Sequence, residues 1–174
     1  LYDEGKKSIF SIALAEDYGV DESQVVLGYG AEDILKQAVH FFLTETPGRN
    51  TMLIPQYSWW YYQSIADEVD GRTLQYSVNE EEDGFAYNFE ALRRSIEEHR
   101  PKVVLVASPN NPTGNGLTPD ELDRLGQLTP TDTIILVDEA YASFVSKSGD
   151  YIKRLINTYP NIIVCRTMSK FYGL

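Results

Sequence analysis

The chain has 174 residues, 43% hydrophobic and 24% charged, the balance of a globular protein able to bury roughly 70% of its unfolded surface. Lys and Arg number 15 against 26 Asp and Glu, and the resulting net charge of −11 argues against nucleic acid as a partner. No apolar run reaches the ~18 residues of a membrane helix, and a single cysteine, Cys165, excludes an internal disulfide or a Cys-based metal cluster.

In chain order, short apolar β-type runs alternate with amphipathic helical stretches, the pattern of a layered α/β fold. The opening Leu1-Tyr2-Asp3-Glu4-Gly5-Lys6-Lys7 does not read as a signal peptide. A strand is expected over residues 24–27, then a helix over residues 31–44 with Ile34, Leu35, Ala38, Val39 and Phe42 on one face. Residues 51–54 and 72–78 read as the next strands, and Glu80-Glu81-Glu82-Asp83 as a solvated loop after the second. Asn88 can cap a helix over residues 89–99 that turns Phe89, Leu92 and Ile96 to one side. The runs over residues 103–107 and 134–138 are almost continuously apolar, as expected of strands covered on both faces. Between them Thr118-Pro119-Asp120-Glu121 is a capping box with proline at the first helical position, so a helix starts there. A last strand is expected over residues 162–167. The expected architecture is a three-layer α/β/α domain with a doubly wound, mostly parallel central sheet. Lacking an initial Met and ending at Gly173-Leu174, the chain is expected to be a piece of something longer.

In such sheets ligands bind beyond the carboxyl ends of the strands. Chemical side chains recur at those places: Tyr57 after the second strand, Pro109 to Gly114 after the fourth, Asp138 ending the fifth and Lys170 after the sixth. Ser108-Pro109-Asn110-Asn111-Pro112-Thr113-Gly114 is a loop stiffened by two prolines that holds an Asn amide at a strand end. Asp138 is a carboxylate at the end of a buried strand, costly unless paired; as a lone feature it reads equally as a helix cap. An ATPase reading of that aspartate fails, because no Gly-Lys-Ser or Gly-Lys-Thr loop exists in the chain. Lys170, among hydroxyls and aromatics just past a buried strand, is a candidate nucleophile. His40 and His99 show no metal-ligand spacing, and Cys165, in an expected buried strand, reads as packing.

Taken together, Ser-Pro-Asn-Asn-Pro-Thr-Gly, Asp-Glu-Ala-Tyr and Ser-Lys-Phe-Tyr-Gly-Leu, in this order and at these intervals, resemble the fold-type I pyridoxal-phosphate aminotransferases of classes I and II, and within them the histidinol-phosphate aminotransferase branch. The resemblance covers essentially the whole chain. It implies that Lys170 carries the cofactor through its aldehyde and, once displaced by the substrate amine, shuttles a proton. It implies that Asp138 pairs with the pyridine nitrogen, so that the ring can absorb the carbanion's electrons, and that Asn111 and Tyr141 hydrogen-bond the ring's 3′ oxygen. Tyr57 would stack on the ring. The backbone amides of Ala31 and Glu32, which open a helix, and the hydroxyls of Thr167 and Ser169 would hold the phosphate. Tyr2 resembles a tyrosine that reaches the phosphate of the neighbouring subunit.

By the same resemblance, residues 1–174 are an incomplete large cofactor-binding domain, lacking the N-terminal arm and the C-terminal small domain. The family's arginines for the phosphate and the substrate carboxylate lie past Leu174, and Arg166 fills neither role on spacing. The expected partners are a small-molecule amino donor and a 2-oxo acid, with histidinol phosphate and 2-oxoglutarate favoured, and no nucleic acid or membrane. The expected assembly is a homodimer in the cytoplasm. Competing readings are a related reaction on the same scaffold, such as threonine-phosphate decarboxylation or aromatic amino-acid transamination, and a non-catalytic module of the same fold.

Overall fold

A computed structural model describes residues 8–145 and 149–174. Its centre is a five-stranded sheet formed by β1 (Thr51–Pro55), β2 (Arg72–Tyr76), β5 (Val103–Ala107), β6 (Ile134–Asp138) and β7 (Ile162–Cys165), in the order β2-β1-β5-β6-β7. All neighbours run parallel, with Val104 opposite Leu53 on one side and Ile135 on the other. A separate antiparallel hairpin, β3 (Val78–Glu81) with β4 (Gly84–Tyr87), follows β2.

The period of two along each strand sorts the core into two layers. On one face Leu53, Val104, Val106, Ile135 and Val137 pack with α4 (Phe89–His99), α5 (Pro119–Leu128) and α7 (Asp150–Thr158), through Leu92, Ile96, Leu122, Leu125 and Leu155. On the other, Met52, Ile54, Val103, Leu105, Leu136 and Cys165 meet Leu35, Val39 and Leu43 of α2 (Ala31–Glu45) and Ile65 of α3 (Tyr61–Asp67). This is the expected three-layer arrangement. The capping box at α5 is formed: Thr118 Oγ1 accepts from the Glu121 amide at 3.3 Å, and the Glu121 carboxylate accepts from the Thr118 amide at 2.8 Å. Thr118→Ala is expected to lower unfolding free energy by about 1 kcal/mol, read as a lower urea midpoint at unchanged slope.

Four expectations are corrected. Residues 24–27 form no strand: Glu22–Gln24 is a 3-10 turn, and the residues after it lie across a groove of about 430 Å³ from β7, leaving Val26 76% exposed. A β-type run is a strand only when a neighbour takes its backbone hydrogen bonds. Residues 72–78 are divided at Ser77, where the chain leaves the sheet for the hairpin. The acidic run is that hairpin's tip, with Glu80 and Glu81 opposite Phe85 and Gly84. The last strand stops at Cys165, whose carbonyl accepts from the Glu139 amide at 2.8 Å before the chain turns away. Helix α1 (Ile9–Tyr18) was not expected; its apolar residues are spread around the axis, and it buries only Ser11 and Ala15.

Candidate active site

The chain runs from β1 outward to β2, then returns to the other side of β1 as β5 and continues to β6 and β7, so the winding reverses between β1 and β5. A crevice opens at the carboxyl ends of strands where the winding reverses, and there the structure has a cavity of about 540 Å³. Its walls come from four strand ends and one helix start: Trp59 after β1, Pro109 and Asn111 after β5, Asp138, Ala140 and Tyr141 at the end of β6, Thr167, Ser169 and Lys170 after β7, and Gly30 to Glu32 opening α2.

Asp138 is the most constrained group. Its side chain is 6% exposed; Oδ2 accepts from the Tyr62 hydroxyl at 2.5 Å and Oδ1 from the Ala140 amide at 3.0 Å. Burial pushes its pKa above the ordinary value, opposed by those two hydrogen bonds and by the charge of Lys170. The same burial, with the charge of Asp138 behind it, pushes the Cys165 thiol up to about 12, consistent with a packing residue.

Glu139, the next residue, serves the framework. It is buried, pairs with Arg166 Nε at 2.8 Å and accepts a hydrogen bond from the Tyr151 hydroxyl, to which Arg166 also donates at 3.0 Å. The guanidinium lies 5.4 Å from the centre of the Tyr18 ring. This buried pair ties the end of β6 to the segment after β7, the two pieces that carry Asp138 and Lys170. Breaking it leaves a buried charge uncompensated. Arg166→Met is therefore expected to lower unfolding free energy by about 3 kcal/mol, measured by urea denaturation.

Lys170 is exposed at the cavity mouth, with Nζ 6.0 Å from the centroid of the Tyr141 ring. Thr167 and Ser169 hydroxyls lie 2.9 Å apart, and Thr167 Oγ1 also accepts from the Ser169 amide at 3.2 Å. Opposite them Gly30, at φ 87°, turns the chain into α2. A side chain would be strained at that φ, so glycine lets the first amides of the helix open directly onto the cavity. In the rigid loop after β5, Asn110 is the buried partner and Asn111 the exposed one. Asn110 Nδ2 donates to the Tyr57 carbonyl at 2.5 Å and to Thr113 Oγ1 at 2.6 Å, leaving Asn111 on the cavity wall.

Eight residues singled out from the sequence, Ala31, Glu32, Asn111, Asp138, Tyr141, Thr167, Ser169 and Lys170, thus line one cavity. Tyr57 is not brought to its wall: the hydroxyl donates to Glu80 of the hairpin at 2.9 Å and the ring meets Phe85 edge-on. Tyr2 lies outside the described residues. Trp59 and Tyr62 hold the wall on the β1 side, and sequence reasoning did not select either of them for the site. For Tyr62 a signal existed, since Tyr62, Ile65 and Ala66 form the buried i, i+3, i+4 face of α3.

The fold and the cavity together define an α/β enzyme domain whose site is assembled from successive strand ends. The sequence model of the family "Aminotransferase class I and II" matches residues 9–174, and the chain belongs to that family. It is 35% identical over 176 residues to a histidinol-phosphate aminotransferase of Anaeromyxobacter sp. and 34% identical over 177 residues to that of Shouchella clausii, in each case covering 100% of this chain and 46% of the relative. The crystal structure of histidinol-phosphate aminotransferase from Sinorhizobium meliloti, in complex with pyridoxal-5′-phosphate, superposes with a TM-score of 0.81 at 24% identity, covering 94% of this chain and 43% of that one. The chain spans less than half the length of the curated relatives it matches.

Proposed function

We propose that the complete protein is a pyridoxal-phosphate-dependent aminotransferase, and that residues 1–174 are an incomplete large, cofactor-binding domain, with an N-terminal arm and a C-terminal small domain supplied by the rest of the polypeptide. Histidinol phosphate is the proposed amino donor, supported by the names of the relatives, and 2-oxoglutarate the proposed acceptor. A cytoplasmic homodimer is the proposed form. The observation that carries the reading is the convergence of Asn111, Asp138, Tyr141 and Lys170, from three separate strand ends, on one cavity.

The donor set suits the cofactor. A cavity of about 540 Å³ lies within the range of roughly 300–1,000 Å³ usual for small-molecule and cofactor sites. One wall offers a buried carboxylate for a ring nitrogen, and another the start of α2 with two hydroxyls for a phosphate. When bound, pyridoxal phosphate supplies an aldehyde for the amino group and a protonated ring that accepts the electron pair left on the substrate carbon.

The chain's own residues divide the remaining work. Asp138 holds negative charge against the ring nitrogen. The amides of Ala31 and Glu32, with the Thr167 and Ser169 hydroxyls, bind the phosphate, assisted by the dipole of α2. Asn111 and Tyr141 donate to the ring oxygen and orient the ring, while Trp59 and Tyr62 exclude water on the β1 side. Lys170 Nζ anchors the cofactor and, once free, takes the proton leaving the substrate's α-carbon and holds it for return. The test is to supply ¹⁵N-labelled histidinol phosphate and 2-oxoglutarate to the complete protein. Label appearing in glutamate supports the reading. No label in glutamate, together with release of carbon dioxide when threonine phosphate is supplied in its place, would replace it with the decarboxylase reading.

A further inference from the structure

The group that most closely governs Asp138 is one the family motifs do not contain. Tyr62 sits in the first turn of α3, 2% exposed, its ring meeting Trp59 edge-on at 5.7 Å and its hydroxyl 2.5 Å from Asp138 Oδ2. The Ala140 amide occupies Oδ1, so each carboxylate oxygen receives one fixed donor from the protein and keeps its remaining acceptor capacity. Helix α3 and strand β6 are joined across the core by this contact between residues 76 apart in sequence. We propose that Tyr62 is a positioning residue for Asp138: its hydroxyl fixes the carboxylate's orientation at the cavity wall and supplies the hydrogen bond that the anionic form requires. The proposal rests on the cofactor reading above, and concerns how the chain prepares the group that faces the ring nitrogen.

The chemistry is one-directional. Burial and the adjacent carboxylate push the Tyr62 phenol far up, so it stays protonated and acts as donor to an ionised Asp138. Few other ionisable groups bear on Asp138. Lys170 favours its charged form from the loop after β7, while Tyr87 of β4 and Cys165 of β7 are held neutral by burial. The Tyr62 hydroxyl is the one side-chain hydrogen bond to Asp138 among the described residues, and charge-assisted bonds of this kind are the strong ones. A phenylalanine keeps the ring and its packing and removes only that bond.

The experiment is a carboxyl infrared titration of the complete, cofactor-free protein labelled with [¹³C]aspartate, with the Asp138 signal assigned by its loss in Asp138→Asn. Tyr62→Phe is expected to move the Asp138 midpoint upward. Fluorotyrosine at position 62, a stronger donor of almost unchanged shape, is expected to move it downward, and decides the matter if the phenylalanine variant does not fold. In parallel, Tyr62→Phe is expected to raise the dissociation constant for pyridoxal phosphate about tenfold, and to leave it unchanged in an Asp138→Asn background. Unshifted midpoints overturn the proposal, and a loss of affinity that persists in the Asp138→Asn background reduces Tyr62 to a packing residue. Failure of the cofactor reading looks different, because the complete protein then takes up no pyridoxal phosphate while the cofactor-free titration still reports the Tyr62–Asp138 bond.

Discussion

Lys170→Ala in the complete protein is expected to abolish covalent attachment of pyridoxal phosphate and to lower the rate of amino transfer about 10⁴-fold, the upper end of what a positioned acid–base group contributes. The size follows from the absence of a substitute. Among the described residues no other lysine lines the cavity: Lys36 is paired with Glu68 at 2.5 Å and Lys102 with Glu45 at 2.8 Å, both away from the strand ends that form it. The substitution itself is mild for the fold, since Lys170 is exposed and lies past the last strand. The loss is therefore expected in kcat with thermal stability of the cofactor-free protein unchanged, and small primary amines added to the assay should restore part of the rate. A variant that keeps more than a tenth of the parent's rate would remove Lys170 from the chemistry.

Asp138→Asn is expected to separate the effect on the cofactor's electronics from the effect on its attachment. Asparagine fits the same space: its Oδ1 can accept from the Ala140 amide while its Nδ2 donates to the Tyr62 oxygen, and it carries no charge. Losing one preorganised electrostatic partner in a water-poor site costs about 10²–10³ in kcat, and cofactor linked to Lys170 should remain detectable. The same substitution has an opposite effect on stability. Burial raises the folded-state pKa of Asp138 above the ordinary 3.8, so folding favours its protonated form. That contribution is fully present below 3.8 and is lost as pH rises through the folded-state value. At neutral pH the buried charge weakens the cofactor-free fold. Asp138→Asn is expected to stabilise it there and to flatten the pH dependence, as urea unfolding between pH 4 and 8 can measure. A group held in a costly state where it serves the reaction is the usual trade of stability for activity.

The parts of this molecule that were legible in the sequence are those fixed by local rules. Continuous apolar runs gave β5 and β6 with their observed bounds, and the capping chemistry of Asn88 and Thr118 gave the starts of α4 and α5. The cavity was legible as well, because a parallel sheet delivers its loops to one edge and the chemical side chains follow the strands. What depended on neighbours was not. Val25, Val26 and Leu27 have strand-like side chains but, among the described residues, no strand beside them to complete a ladder, and the hairpin of β3 and β4 hides in a run of acidic residues that suits an exposed tip. Among the clustered aromatics, only helical phase decides which ring turns inward. The phase of α3 sends Tyr62 to Asp138, while Tyr57, before the helix, is drawn to the hairpin by Glu80 and Phe85. Of the chain's twelve tyrosines, several staple buried backbone or carboxylates through their hydroxyls, as Tyr76 does on the Leu105 carbonyl and Tyr87 on that of Ala107.

Chemical trapping reports which residue carries pyridoxal phosphate, the role assigned to Lys170. The complete protein is loaded with pyridoxal phosphate, reduced with borohydride to fix the cofactor on the amine that holds it, and digested for peptide mapping. A single modified peptide containing Lys170 is expected. Modification at another lysine, or a protein that retains no cofactor after reduction, would contradict it.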